Sequence, residues 1–363
     1  MSSQMAARLF RETVHNHFAH PHPFTRVRVF GTPLTPRAAL TPASSSSPTA
    51  SAARPFTMSQ PVARSRHPDF KTVEASRPPW DDTERFHYTR TVNPDWRFGD
   101  GANRLAAAGD DKTQPKDQEQ KSQTKRHVAI DPYAEGRAPG HNYKLLISAV
   151  TPRPIAFIST LGADGRAVNL APFSYFNMMS HDPPLFVVGF DHGGGRNARG
   201  AKDTLANVLA TREAVINIIG EDFIEAANAC SIDAPYGASE WDVSGLTPLR
   251  DCETVRPARV AEAVFSVEVK VDHVREYERR GGGGKPGQPG STLVVFEGTR
   301  MWVREDALNE EQNLVDAAVL RPMSRLGGIT YGRLTQAIEI PRPTFDKDLG
   351  GEEGLDKLKG LKN

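Results

Sequence analysis

Arg-Pro-Ile-Ala-Phe-Ile-Ser-Thr at residues 153–160 and Asn-Leu-Ala-Pro-Phe-Ser-Tyr-Phe-Asn at 169–177 are separated by Gly162-Ala163-Asp164-Gly165. The β-branched and aromatic content of Ile155–Leu161 predicts a strand, the glycine-flanked quartet a tight turn, and Ala167–Phe173 a second strand. Together they predict a hairpin. Alternation sends Asn169, Ala171 and Phe173 to one face and Leu170, Pro172 and Ser174 to the other. Pro172 has no N–H to give to a ladder, which marks its strand as an edge or a bulge where backbone is free to face a ligand. A flat heteroaromatic ring with several acceptors requires a surface of that kind.

Outward from the hairpin, Asn142–Val150 reads as a short helix or turn ended by Thr151-Pro152. Leu185–Phe190 is a nearly all-apolar buried strand, closed by the flexible Asp191–Gly195 loop, and Ala214–Ile219 is another. Helical spacing appears at Thr204–Thr211 and Glu221–Ala229. Phe265–Val274 and Thr292–Val303 alternate as long antiparallel strands, joined by an insertion at 279–291 that is expected to be disordered. Many short strands with few helices predict a mainly β fold with peripheral helices, an α+β chain built on a closed or nearly closed barrel. The tail at 344–363 is mostly charge and glycine and reads as frayed.

The rest of the chain is of different texture. A mean hydropathy of −0.48, with 28 prolines and 30 glycines in 363 residues, concentrates the core in one part of the sequence. Residues 1–68 contain one acidic residue, Glu12, among spread arginines, serines and prolines. That is the composition of a mitochondrial transit peptide, or of a disordered extension with Met58 as an alternative start. Residues 69–105 mix aromatic and charged residues, which suggests an arm with rings as anchors. Residues 106–126 form a charged linker, and the barrel domain spans 127–343. Forty-five basic against 44 acidic side chains leave a net charge of +1, which disfavours nucleic acid as a partner. Cys230 and Cys252 have neither CxxC spacing nor a disulfide framework, as expected of two ordinary thiols in a reducing compartment. No uncharged apolar run approaches the ~20 residues needed to span a bilayer. The reading is an intracellular protein, cytoplasmic or mitochondrial.

The densest chemistry lies between Thr151 and Pro184, and for any single residue there a role in turns and core is the more common one. Gly193-Gly194-Gly195 and the glycine run from Gly281 lack the flanking residues of phosphate loops. Lys202-Asp203-Thr204 reads as a helix start with Asp203 as N-cap, a place that also favours an anion. His181 beside the motifs is expected to be structural. The histidines of the leader lack a folded frame for a metal, and none is expected.

The strings at 153–160 and 169–177, Asp-Pro-Pro at 182–184, Lys-Asp-Thr at 202–204 and the closing Arg325-Leu326-Gly327-Gly328-Ile329-Thr330-Tyr331 resemble the flavin-reductase-like family in order and spacing. Glu74–Trp80 further resembles its fungal members. The resemblance covers about 200 residues. It implies an FMN-binding split β-barrel over about Asn142–Pro343, working as a homodimer on a small-molecule substrate, with the flavin near the subunit interface. By the same resemblance Ser159, Thr160, Ser174, Lys202 and Thr204 would hold the phosphate and ribityl chain, and Arg153 the same anion. Asn169, Leu170, Ala171 and Phe173 would meet the polar edge of the ring, and Tyr175, Phe176, Pro183 and Pro184 would wall it. The cofactor then carries the redox chemistry, so neither paired carboxylates nor a Ser/His/Asp order is required. NADH or NADPH is implied as co-substrate, but Gly327–Tyr331 departs from the pattern of many members in having no histidine after its glycines. An FMN-binding or delivery protein, and an oxygenase or oxidase on the same barrel, remain alternatives.

Overall fold

The computed structural model describes residues 70–103, 127–192, 201–280 and 287–361, and the leader, the linker and both glycine-rich loop centres fall outside them. The chain divides at Arg77/Pro78. The first unit's described part, residues 70–77, contains a six-residue helix, α1 (Phe70–Ala75), with an exposed Lys71–Glu74 pair.

The second unit contains everything else. Its strands and helices run β1 (His87–Thr89), α2 (Pro139–Ala149), β2 (Ala156–Leu161), β3 (Val168–Phe173), β4 (Phe176–His181), β5 (Pro184–Asp191), α3 (Asp203–Thr211), β6 (Glu213–Ile218), α4 (Ile224–Ala229) and α5 (Glu240–Ser244). There follow β7 (Pro248–Leu249), β8 (Arg259–Val260), β9 (Phe265–Glu278), β10 (Pro289–Val303), α6 (Ala317–Leu320), β11 (Ser324–Arg325), β12 (Tyr331–Gly332), β13 (Gln336–Ile338) and α7 (Gly351–Gly360).

Seven strands form one antiparallel sheet in the order β3-β2-β6-β9-β10-β5-β4. The expected hairpin is β2–β3, pairing Ala156 with Phe173 through Leu161 with Val168, and the turn carries Gly165 at φ +72°, where a side chain would be strained. β3 is an edge strand, as its Pro172 requires. Phe173 at that edge packs at 4.8 Å between ring centroids on Phe190 of β5, so side chains rather than hydrogen bonds bring the two ends of the sheet together. This is a mainly β, split-barrel arrangement.

Alternation along β2 explains the core. Ala156 and Ile158 join Val188, Phe190, Val267, Val294 and Phe296 on one face, which α3 covers with Leu205 and Val208. Ile155 and Phe157 belong to the other face, with Leu170, Phe223, Trp241 and Met323, beneath α4 and α5. Each large side chain so buried contributes about 1.5–3 kcal/mol.

Two expectations are corrected and one strand is added. β9 and β10 extend into the insertion, pairing Glu278 with Pro289, so the ladder takes up part of 279–291. Phe176–His181 is a strand, β4, at the second edge. The tail is not frayed: it forms α7, whose first turn holds Glu352 and Glu353 and whose last holds Lys357 and Lys359, complementing the helix dipole. Within the arm, β1 pairs in parallel with β13, and Trp80 lies 4.0 Å beneath the Arg333 guanidinium. Arg333 also meets Glu221 at 3.0 Å and Glu84 at 3.3 Å.

Candidate functional site

A cleft of about 160 Å³ opens between the β3 edge and the start of α3. Asn169, Ala171, Pro172 and Phe173 form one wall, Lys202, Asp203 and Thr204 a second, and Cys230–Ala234 with Glu240 the third. Asn169 Nδ2 donates to Thr204 Oγ1 at 2.8 Å, tying strand to helix, and both residues are buried. The Asn169 carboxamide oxygen has no partner among the described residues.

α3 begins one residue earlier than expected of an Asp203 cap. Lys202 occupies the N-cap with extended backbone and makes no side-chain capping bond. The first amide N–H groups of a helix have no intrahelical acceptor, and the helix dipole adds positive potential there. Among the described residues the Lys202 ammonium makes no hydrogen bond or ion pair. The end of this cleft is therefore suited to an anion.

Glu240 at the back of the cleft is buried, and its Oε2 accepts the Leu170 N–H at 3.1 Å. Burial raises its pKa, the Leu170 N–H works against that, and the Asp203 charge adds to the rise. Cys230 donates weakly to the carbonyls of Ala226 and Glu240, and burial pushes its thiol up to about 11. Burial also pushes Cys252 up to about 12. Neither has the thiolate character of a reactive cysteine at neutral pH.

Of the expected residues, Asn169, Ala171, Phe173, Lys202 and Thr204 converge on this cleft. Leu170 contributes its N–H to Glu240 while its side chain enters the core. Thr160 pairs across from Asn169 and accepts from Asn207 Nδ2 at 3.1 Å, with Tyr236 O–H donating to Asn207 Oδ1 at 3.0 Å. Thr160 thus braces the cleft from the neighbouring strand.

Others are engaged elsewhere. Arg153 donates from Nη1 to the carbonyls of Ile147 and Val150 and from Nη2 to Leu326 O at 2.9 Å. It fastens the carboxyl end of α2 to the closing segment, where Arg325 pairs with it by backbone, so it is not placed to meet an anion in this cleft. The Ser159 hydroxyl donates to Ala258 O and lines a separate depression with Trp241 and Arg256. Phe176 stacks on Phe186 at 6.3 Å. Ser174 lies in the β3–β4 turn, Pro183 in the β4–β5 turn, and Pro184 begins β5. His181 ends β4, away from the cleft. Tyr175 lines a different cleft. Arg325 stacks on Tyr331 at 4.3 Å within the separate β11–β12 pair.

Sequence reasoning missed Glu240 and the Cys230–Ala234 turn. Ser239, whose hydroxyl accepts the Trp241 N–H, is a legible helix cap beside Glu240. Nothing local announces that Glu240 turns inward. Among the described residues no cluster of His, Cys, Asp and Glu could hold a metal ion, and no helix is long and apolar enough to cross a membrane.

Fold and cleft together define a flavin-reductase-type split barrel. The flavin reductase like domain model matches residues 148–320. An uncharacterised protein of Halalkalibacterium halodurans is 36% identical over 208 residues, covering 57% of this chain and 93% of the relative. The chain belongs to the flavin reductase-like family. Among solved structures, nitrilotriacetate monooxygenase component B from Bacillus cereus is 29% identical, covering 59% of this chain and 99% of that one at a TM-score of 0.53. The 2-nitrobenzoate 2-nitroreductase NbaA of Pseudomonas fluorescens is 30% identical, covering 61% and 98% at 0.51.

Proposed function

We propose that this flavin-related oxidoreductase binds FMN as a homodimer and uses NADH or NADPH to reduce flavin or a small acceptor. The observation that carries the reading is Lys202, an ammonium without a partner among the described residues, at a helix start that lacks a side-chain cap. The FMN phosphate would lie against Lys202 and the first amides of α3. Ribityl hydroxyls would meet the Asn169 carboxamide oxygen and the Thr204 hydroxyl. Ala171 and Phe173 on the β3 edge would present backbone to the ring.

When bound, the flavin supplies the redox chemistry. The chain's own part is to bind, orient and exclude water. Whole-ligand sites occupy about 300–1,000 Å³, so a cleft of about 160 Å³ encloses only the phosphate and chain. The ring would extend along the β3 edge toward a second copy. Exposed Leu145 and Leu146 on α2, Val150 just after it, and Met178 and Met179 on the edge strand β4 support such a partner face. An intracellular location, mitochondrial or cytoplasmic, follows from the leader's composition.

The likeness to a nitroreductase makes a nitroaromatic the acceptor to try first. The test is anaerobic addition of NADH or NADPH to FMN-loaded protein, with loss of the flavin absorbance expected. Flavin retained without bleaching by either nucleotide would leave a binding or delivery protein, or an oxidase. A chain that retains no flavin would overturn the reading.

A further inference from the structure

Two residues beyond Phe173 the chain leaves the Lys202 cleft, and Tyr175 joins Tyr133 and Tyr143 in a second cleft of about 400 Å³. The two clefts share no lining residue. Gly189 makes room for this placement, because a Cβ there would stand 3.2 Å from the Tyr175 Cβ. The Gly189 N–H also donates to Tyr175 O at 2.8 Å. The backbone of the tyrosine is therefore fixed on β5, while its ring stays open to the cleft and to solvent. Among the described residues, none of the three tyrosine hydroxyls makes a hydrogen bond.

Arg137, Arg279 and Arg280 bring three positive charges to this cleft against the single carboxylate of Asp191. Arg137 Nε donates to Asn142 Oδ1 at 2.5 Å. Arg279 donates to the carbonyls of His192 at 3.1 Å and Pro289 at 3.3 Å. These neutral acceptors fix the guanidinium groups without cancelling their charge. Arg280 makes no hydrogen bond or ion pair among the described residues. Arginines at the end of a hairpin are ordinarily solvated. Three rings around a concave surface, with net positive charge at its rim, are what a ligand with one flat and one negative part requires.

We propose that this cleft binds an aromatic ring bearing an anionic group, with the ring among Tyr133, Tyr143 and Tyr175 and the anion on Arg280 and Arg279. The carboxylate of an aromatic acid and the phosphate of a nucleotide offer the same chemistry.

The test is calorimetric titration of the purified full chain with 4-nitrobenzoate, ADP and neutral nitrobenzene. At least one of the two anions is expected to bind once per chain, about tenfold more weakly to Arg280→Ala, as loss of a charge-assisted contact implies. Tyr143→Leu should weaken the same ligand, while both variants keep wild-type FMN affinity and thermal melts. Binding of 4-nitrobenzoate alone identifies an aromatic acid, and of ADP alone a nucleotide. Failure of both, equal binding of nitrobenzene, or unchanged affinity in Arg280→Ala would each overturn the proposal. If FMN fails to bind while 4-nitrobenzoate binds with the expected arginine dependence, the flavin reading falls and this one stands.

Discussion

Glu268 and Glu240 are both buried carboxylates in one domain, and their surroundings drive them in opposite directions. Burial works to raise the pKa of each. At Glu268, on β9 opposite Arg300 of β10, burial is outweighed by the Thr254 hydroxyl and the N–H groups of Glu253, Trp302 and Thr254, which hold the carboxyl down to about 2. Those donors stand 2.5–3.0 Å away. Among the described residues Glu240 is met by the Leu170 N–H and, less strongly, its own N–H, too little to offset burial, and its pKa is raised. A satisfied buried charge belongs to the frame, whereas one left short of donors lines a cleft where a ligand could supply them.

The largest effect is expected from the first of the pair. Glu268→Ala strands four donors in the interior and should cost about 3–5 kcal/mol, read from urea unfolding. Because the folded pKa lies below the ordinary carboxylate value of 4.5, the stability it contributes is present above pH 4.5 and lost as pH falls toward 2. Wild type and variant should therefore converge on acidification. A constant difference down to pH 2 would show that Glu268 acts by packing alone.

Lys202→Ala tests the cleft. FMN affinity should fall about tenfold, the worth of one charge-assisted contact to phosphate, with the unfolding midpoint unchanged because the side chain is bonded to nothing described. Equal affinity would remove Lys202 from the phosphate site and leave the helix start to act alone.

The contrast also explains what was legible in the sequence. The β2–β3 hairpin was, because turn, alternation and Pro172 are local signals. So was the meeting of Lys202 and Thr204 with Asn169, through motif order. The placements of Arg153 and Ser159 were not, because what claims them is backbone far along the chain, at Leu326 and Ala258. A residue's type shows that it can bond an anion, not that a distant carbonyl has already engaged it. β4 escaped because Phe-Asn-Met-Met-Ser-His alternates poorly, and α7 because its glycines outweighed a charge order suited to a helix. Neither buried glutamate is marked, since inward direction and donor count are properties of the fold.

A smaller effect is expected from Glu240→Gln, which retains an acceptor for the Leu170 N–H but cannot ionise. A raised folded pKa means that the wild-type contribution is fully present below pH 4.5 and lost as pH rises through the folded value. The variant should gain stability relative to wild type between pH 4 and pH 8 in thermal melts. A difference that does not change with pH would place Glu240 among the satisfied carboxylates, and the contrast with Glu268 would break.

The smallest effect concerns the thiols. Cys230 touches the Glu240 carbonyl at the cleft and Cys252 lies near Glu268, so each sits beside one member of the contrasted pair. Burial is the first cause of both shifts, to about 11 and about 12, and neighbouring acids add to it. The fraction present as thiolate at pH 7.5 is then minute, and alkylation requires the thiolate. Folded protein should take up no iodoacetamide label at either cysteine under conditions that label both after unfolding. Rapid labelling of Cys230 alone would show that the wall containing Glu240 opens to solvent, and that its burial is not a fixed property of the cleft.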